Sequence, residues 1–362
     1  MPVIAKKILL SLSGLFLAIL VSEIFLTAVG FKAAQAPFIA FTGNPERSLA
    51  EKGENYDGRK DAIYLADSVT FWKFKPGGNI TIAHPRTLDS GAEWFDSFYK
   101  INSRGFRGDE FAPKKPEDSF RIIAIGDSIT FGLLVEEQVA YYRLLKSLLE
   151  KEFPGLNIEV LSAGVPGYTT YQGLELLKKE LLGYEPDIII AYFGANNEFA
   201  TNLYTDREYA RLTAVAPLEK LSRQLKTAAL LKEVIKLTTG LEFFPREAGN
   251  PRSKTVRVPA KDFGDDLNRI TSLVKSAGAK PVLVVPPHSS KNLSRQPLAE
   301  EYAKMVRSIG SGAALVDADK IFKESGADQF FAADDVHLNE AGHKLLAEAL
   351  FQVIREEIKS RH

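Results

Sequence analysis

The stretch Arg121-Ile122-Ile123-Ala124-Ile125 is an apolar run rich in β-branched residues that stops abruptly at Gly126-Asp127-Ser128. A helical pattern takes over from about Val139, so the segment reads as a buried strand, a tight turn and a helix. From Ser119 onward this alternation repeats. Helices are predicted over Val139–Phe153, Tyr171–Leu182, Phe263–Ala277, Ala299–Ile309 and Asn339–Lys359, and strands over Ile158–Leu161, Pro186–Phe193, Pro281–Val285 and Ala314–Asp317. Strands alternating with helices demand a parallel sheet covered on both faces, a three-layer α/β/α domain. Such sheets place ligands at the carboxyl ends of their strands, where Ser128 would lie. Gly126 lets the chain turn there without a Cβ, and the plainer reading of Ser128 is a helix N-cap.

The other end of the chain carries Ala333-Asp334-Asp335-Val336-His337-Leu338-Asn339. Asp334 lies three residues before His337, near enough for one loop to hold carboxylate and imidazole together, as serine hydrolysis requires. An Asp-x-x-His pair also occurs in turns that lead into helices, and Asn339 has the position of a helix N-cap. Between these two ends fall Ser162-Ala163-Gly164 and Gly194-Ala195-Asn196-Asn197-Glu198, each at the end of a predicted strand.

The four segments, in this order, resemble those of the SGNH/GDSL hydrolases over roughly the last two-thirds of the chain. The resemblance implies an SGNH-hydrolase, flavodoxin-like sheet and a set of roles. Ser128 would be the nucleophile, His337 its base and Asp334 the orienting carboxylate. The amides of Ser128 and Gly164 and the side chain of Asn196 would receive the oxyanion, where each aimed donor is worth about 3–4 kcal/mol. Asp127, Asn197 and His288 are further candidates to line the cleft. No metal or cofactor is implied; a set of Asp334, Asp335, His337 and His343 fits no zinc spacing. The sequence departs from the family pattern at Ser162, often asparagine, and at Asn197-Glu198, where aspartate usually follows Asn196. Both departures bear on substrate preference more than on the reaction. The Asp334-to-His337 spacing and the absence of a glycine closing the serine motif argue against the α/β-hydrolase elbow.

At 362 residues the chain has room for one large domain with appendages. Its 46 Lys plus Arg balance 46 Asp plus Glu, which leaves no net field for nucleic acid. There is no cysteine, which removes disulfides, thiol catalysis and lipidation of a cysteine. Residues 1–31 stand apart. Lys6 and Lys7 precede an apolar run from Ile8 to Phe31, long enough to cross a bilayer. The positive-inside bias predicts a single-pass membrane anchor with the catalytic domain extracytoplasmic, periplasmic or at the cell surface. The rival is a cleaved signal with Ala34-Gln35-Ala36 as its site, disfavoured by its distance from the apolar core and by Pro37. Glu23 sits awkwardly in such a span and is expected to lie toward its outer half or to meet a partner.

Residues 32–118 are expected to form an irregular accessory region with short strands at Phe71–Phe74, Asn79–Ile82 and Phe95–Ile101. Its stretch Ile101-Asn102-Ser103-Arg104-Gly105-Phe106-Arg107-Gly108 resembles a segment found ahead of the serine motif in membrane-anchored relatives. Residues 119–362 would form the hydrolase domain, with a helical insertion at about 200–257. There Leu218, Leu221, Leu225, Ala228, Leu231 and Ile235 fall at helical spacing, either as a lid or membrane-facing surface or as a helix packed on its own domain. The leading function is a membrane-anchored serine esterase acting on small-molecule, glycan or lipid esters. The alternatives are an O-acyltransferase acting on a cell-envelope glycan and a noncatalytic envelope-binding module.

Overall fold

The computed structural model describes residues 3–31, 55, 59–60, 63–88, 91–198, 200–201, 204–211, 225–239, 255–310 and 312–361. The chain divides into two compact units, Met1–Phe41 with Glu208–Ser253, and Thr42–Arg207 with Lys254–His362.

The smaller unit contains α1 (Val3–Ala28), an apolar helix whose stretch Leu10–Ala28 is long and apolar enough to cross a membrane. Most of its large side chains from Leu10 to Phe25, Leu12, Phe16 and Ile24 among them, are exposed, and Ile19 is half-buried. Leu218 and Leu221 of the expected insertion pattern lie outside the described residues, and helix is found over Lys226–Thr239. In this helix Ala229 is buried, while Leu231 of the expected apolar pattern is exposed with Leu230, Val234 and Leu237.

In the larger unit β1 (Tyr64–Asp67) and β2 (Phe71–Phe74) form one antiparallel hairpin, and β3 (Asn79–Leu88) and β4 (Gly91–Lys100) a longer one. The central sheet holds β5 (Ser119–Gly126), β6 (Asn157–Gly164), β7 (Ile188–Tyr192), β8 (Lys280–Val285) and β9 (Ala314–Asp317). All their pairings are parallel, in the spatial order β9-β8-β7-β5-β6. Numbered along the chain this is 2-1-3-4-5, the flavodoxin-like winding, with its switch point between β5 and β7. Ile122, Ala124, Ile188, Ile190, Val282 and Val284 project to one face, against Leu145, Leu149, Leu346, Leu350 and Ile354. Those side chains come from α3 (Tyr141–Glu152) and the final helix Glu340–Lys359. The alternate residues Ile123, Ile125, Ile189, Leu283 and Val285 are equally buried on the opposite face. That face is covered by α4 (Thr170–Lys179), α5 (Ala260–Ser276) and α6 (Ala299–Gly310), so the predicted three layers are present.

One element is absent from the periodicity. Directly after the turn, α2 (Ser128–Phe131) makes a single helical turn that Gly132 ends in the left-handed region at φ 78°. A four-residue helix is too short to show a 3.6-residue pattern.

Candidate active site

Registration across the sheet sets Gly126 opposite both Gly164 of β6 and Tyr192 of β7. The three loops bearing Ser128, Gly164 and Asn196 therefore leave adjacent strand ends at the switch point. The backbones meet at Gly164, where a Cβ would fall 2.3 Å from the Phe131 nitrogen and 2.6 Å from the Thr130 carbonyl carbon. Only glycine lets the end of β6 lie directly against the backbone of α2.

Ser128 is not the N-cap. Asp127 takes that position, its Oδ1 accepting from the Ile129 amide at 3.0 Å, and Ser128 becomes the first helical residue. Its amide belongs to the first turn, which the helix leaves unused, and the hydroxyl is free for other work. His337 Nε2 lies 2.8 Å from Ser128 Oγ, across 209 residues of sequence, and His337 Nδ1 lies 2.6 Å from Asp334 Oδ2. The loop that presents the pair is closed at its base. Ala332 N–H donates to the His337 carbonyl at 2.7 Å, Phe331 bridges to Leu338, and Asn339 Nδ2 donates to the carbonyls of Gln329 and Phe331. Asn339 also caps the final helix through the Gly342 amide, as its position in the sequence predicts.

Asp334 Oδ1 accepts from the amides of Val336 and His337, both at 3.0 Å. Burial alone would raise its carboxyl, but the hydrogen bonds from the His337 ring and these amides prevail and hold it at about 2. An ionised Asp334 requires the proton of a neutral imidazole on Nδ1. Nε2 is thereby left as an acceptor aimed at the serine hydroxyl. This arrangement can remove a proton from Ser128 and store it as an imidazolium beside a carboxylate.

Asn196 is buried and turns its Nδ2 toward Asp127 Oδ2 at 3.3 Å, while the Gly194 amide reaches the same oxygen at 3.2 Å. Burial pushes the Asp127 carboxyl up, opposed by these donors and by the Ile129 amide. Asp127 thus sits behind the candidate oxyanion donor. Asn197 is no cleft residue. Fully buried, it accepts from the Thr170 amide and hydroxyl through Oδ1 and donates to the Gly194 carbonyl. The one-turn 3-10 helix Ala195–Asn197 sends consecutive side chains in different directions, and Asn197 ties the loop to the start of α4. His288 is half-buried beside Gln296, the Pro286 carbonyl and Asp319, and burial draws its pKa down. His343 is buried under α3, where its Nδ1 accepts from the Tyr141 amide and burial lowers its pKa to about 3. Among the described residues, no group of three or more His, Asp or Glu side chains is placed to hold a metal ion.

Two features of the surrounding frame carry no strong sequence signal. The β1–β2 hairpin grips the loop after Gly164. Trp72 Nε1 donates to the Pro166 carbonyl at 3.1 Å, and Tyr168 hydroxyl donates to the Trp72 carbonyl at 2.6 Å. Across that loop, buried Arg257 pairs with buried Asp206 at 2.8 Å and donates to the Gln172 side chain at 2.7 Å. These contacts use backbone carbonyls and residues far apart in sequence.

A switch-point serine, hydrogen-bonded to a histidine that a nearby aspartate orients, defines a serine hydrolase on a flavodoxin-like sheet. The chain belongs to the GDSL-like lipase/acylhydrolase family, which matches residues 124–345, and it acts on ester bonds as a serine hydrolase. No curated protein matches it. Solved structures similar to it include a lipase/acylhydrolase from Enterococcus faecalis, 22% identical, covering 67% of this chain and 96% of that one with a TM-score of 0.43. A GDSL-like lipase from Parabacteroides merdae is 15% identical over 66% of this chain and 97% of that one, TM-score 0.44. An acetylxylan esterase from Geobacillus stearothermophilus is 18% identical over 66% and 96%, TM-score 0.43.

Proposed function

We propose that the protein is a membrane-anchored serine esterase that cleaves acyl esters through an acyl-enzyme on Ser128. The observation that carries this reading is the continuous chain from Ser128 Oγ through the His337 ring to Asp334, at 2.8 and 2.6 Å. Ser128 Oγ attacks the ester carbonyl as its proton passes to His337 Nε2. The resulting oxyanion is received by the amides of Ser128 and Gly164 and by Asn196 Nδ2. Collapse breaks the bond to the alcohol, which leaves with the proton from Nε2. Water, deprotonated by the same nitrogen, then attacks the acyl-enzyme and releases the carboxylic acid.

The anchoring part of the reading is supported within the smaller unit. Glu23 of α1 accepts from the amides of Lys226 and Thr227, the first two residues of the helix Lys226–Thr239. Lys226 Nζ reaches Thr27 Oγ1 at 3.1 Å. A carboxylate at a helix N-terminus satisfies donors the helix cannot use and meets the positive end of its dipole. Glu23 thereby gains the partner that a charge in an apolar helix needs, and the insertion gains a reason for α1 to remain attached. With 26 residues, α1 extends about 39 Å, enough for a hydrocarbon core of roughly 30 Å. The lysines at its start favour a cytoplasmic amino terminus and an extracytoplasmic catalytic domain.

Product analysis with acyl ester donors tests the reaction. Free carboxylic acid formed at the same rate with and without a glycan acceptor supports hydrolysis. Acyl glycan formed in place of acid would make the protein a transferase.

A further inference from the structure

The segment ahead of β5 delivers a buried cation to the underside of the nucleophile helix. Residues 101–107 fold back on themselves: Ile101 bridges to Arg107, and Arg107 bridges in turn to Ser162 on the outer edge of β6. Asn102 holds the loop closed, its Oδ1 accepting from the amides of Arg104 and Phe106, both at 3.0 Å. This brings the Arg107 side chain, which is 4% exposed, under α2. Its guanidinium donates to three carbonyls that follow the serine: Phe131 at 2.8 Å, Gly132, and Val135 at 2.9 Å. The Tyr99 ring lies 4.6 Å and the Phe131 ring 5.2 Å from the guanidinium carbon, so aromatic faces close the remaining sides. Gly132 completes the fit, since a Cβ there would come within 2.7 Å of Arg107 Nη1.

A helix of four residues has almost no internal hydrogen bonding to define where it lies. Asp127 fixes its amino-terminal end, and Gly164 lies against the backbone of Thr130 and Phe131, as described above. At its carboxyl end Arg107 holds the orphan carbonyls and sets a positive charge at the negative end of the turn. A planar fork with several donors can fix three carbonyls at once, which a lysine ammonium on its flexible stem cannot do in the same geometry.

We propose that Arg107 is a positioning residue for Ser128, clamping the far end of α2 so that the serine hydroxyl is held in line with His337. The inference rests on the reading of Ser128 as nucleophile and gives the Asn102–Arg107 loop its task. A displacement of about 1 Å at a reacting group can cost on the order of 100-fold in rate.

The test compares Arg107→Ala and Arg107→Lys with the parent, on full-length protein in detergent and at a temperature where circular dichroism shows each variant folded. Both are expected to lower kcat for p-nitrophenyl acetate, the alanine variant by roughly 10- to 100-fold, with KM nearly unchanged. The rate of fluorophosphonate labelling should fall in parallel. Low-millimolar guanidinium, without effect on the parent, should restore part of the kcat of Arg107→Ala by refilling the fork. If the alanine variant does not fold, Arg107→Lys keeps the charge and carries the same kcat and labelling comparison. Parental kcat and labelling rate in either folded variant would overturn the proposal. So would a loss that guanidinium leaves untouched while KM rises with it, since that marks general loosening. Ser128→Ala in the same assays separates the two ideas: turnover surviving there sinks the nucleophile, whatever Arg107 does.

Discussion

Asp127 Oδ2 lies 3.3 Å from the Asn196 side-chain nitrogen, so the residue preceding the proposed nucleophile holds the proposed oxyanion donor in place. The same carboxylate caps α2 through the Ile129 amide, which ties the aim of the donor to the start of the serine helix. Asp127→Asn keeps the shape and removes one of two acceptors. Its amide nitrogen must face either the Ile129 amide or the Asn196 and Gly194 donors. Because a single oxyanion donor is worth about 100- to 1,000-fold in kcat, misaiming one should cost a sizeable part of that. A fall in kcat of roughly 10- to 100-fold with little change in KM is expected in steady-state kinetics. Equal effects on kcat and on thermal unfolding, with no kinetic defect at low temperature, would make Asp127 a cap alone.

Stability should depend on Asp266. It is 1% exposed, and burial pushes its carboxyl up to about 6 against the pull of Arg207 and Thr170. Arg207 lies 2.7 Å away but has 31% of its side chain exposed, so solvent shares its charge. The folded chain thus keeps a proton that the unfolded chain, with an ordinary carboxyl near 3.8, has lost. The folded state binds more protons in this window, so stability falls as pH rises from about 4 to about 6, and this contribution levels off above. The effect is at most about 3 kcal/mol. Denaturant unfolding at pH 4, 5, 6 and 7 should show this slope in the parent and lose it in Asp266→Asn. A slope of the same size in both would assign it to another group.

Much of the sheet was legible because buried parallel strands are continuous apolar runs, as in Ile188-Ile189-Ile190 and Val282-Leu283-Val284-Val285. The serine and the Asp334–His337 pair were legible for another reason: their chemistry restricts residue type, and their order along the chain resembles that of the SGNH/GDSL hydrolases. What escaped depends on backbone or on direction. Arg107 makes its three bonds to main-chain carbonyls, whose identity leaves no trace in the sequence. Asn197 looks like a cleft residue beside Asn196, and only the turn at the end of β7 sends it inward. The hairpin strand Tyr64–Asp67 is too short and too mixed to stand out, and α2 is one turn long.

The contact of Glu23 with the amides of Lys226 and Thr227 makes the helix Lys226–Thr239 depend on α1. In Glu23→Ala the amides at the start of the helix Lys226–Thr239 lose their acceptor. Limited proteolysis in membranes should then cut this segment faster than in the parent, while Glu23→Gln, which keeps an acceptor oxygen, should stay nearer to it. The same preparations should begin at or next to Met1 by amino-terminal sequencing. A mature chain beginning at Pro37 would show that α1 is removed.

The central claim is that Ser128 becomes covalently bound during catalysis, and the most direct measurement is the mass of the adduct formed with a fluorophosphonate. The account predicts one phosphonyl group per chain, on the peptide that contains Ser128, formed in step with loss of esterase activity. Ser128→Ala should take up no label and lose nearly all turnover while keeping the parental fold. A stoichiometric adduct on another serine, or parental turnover in Ser128→Ala, would contradict it.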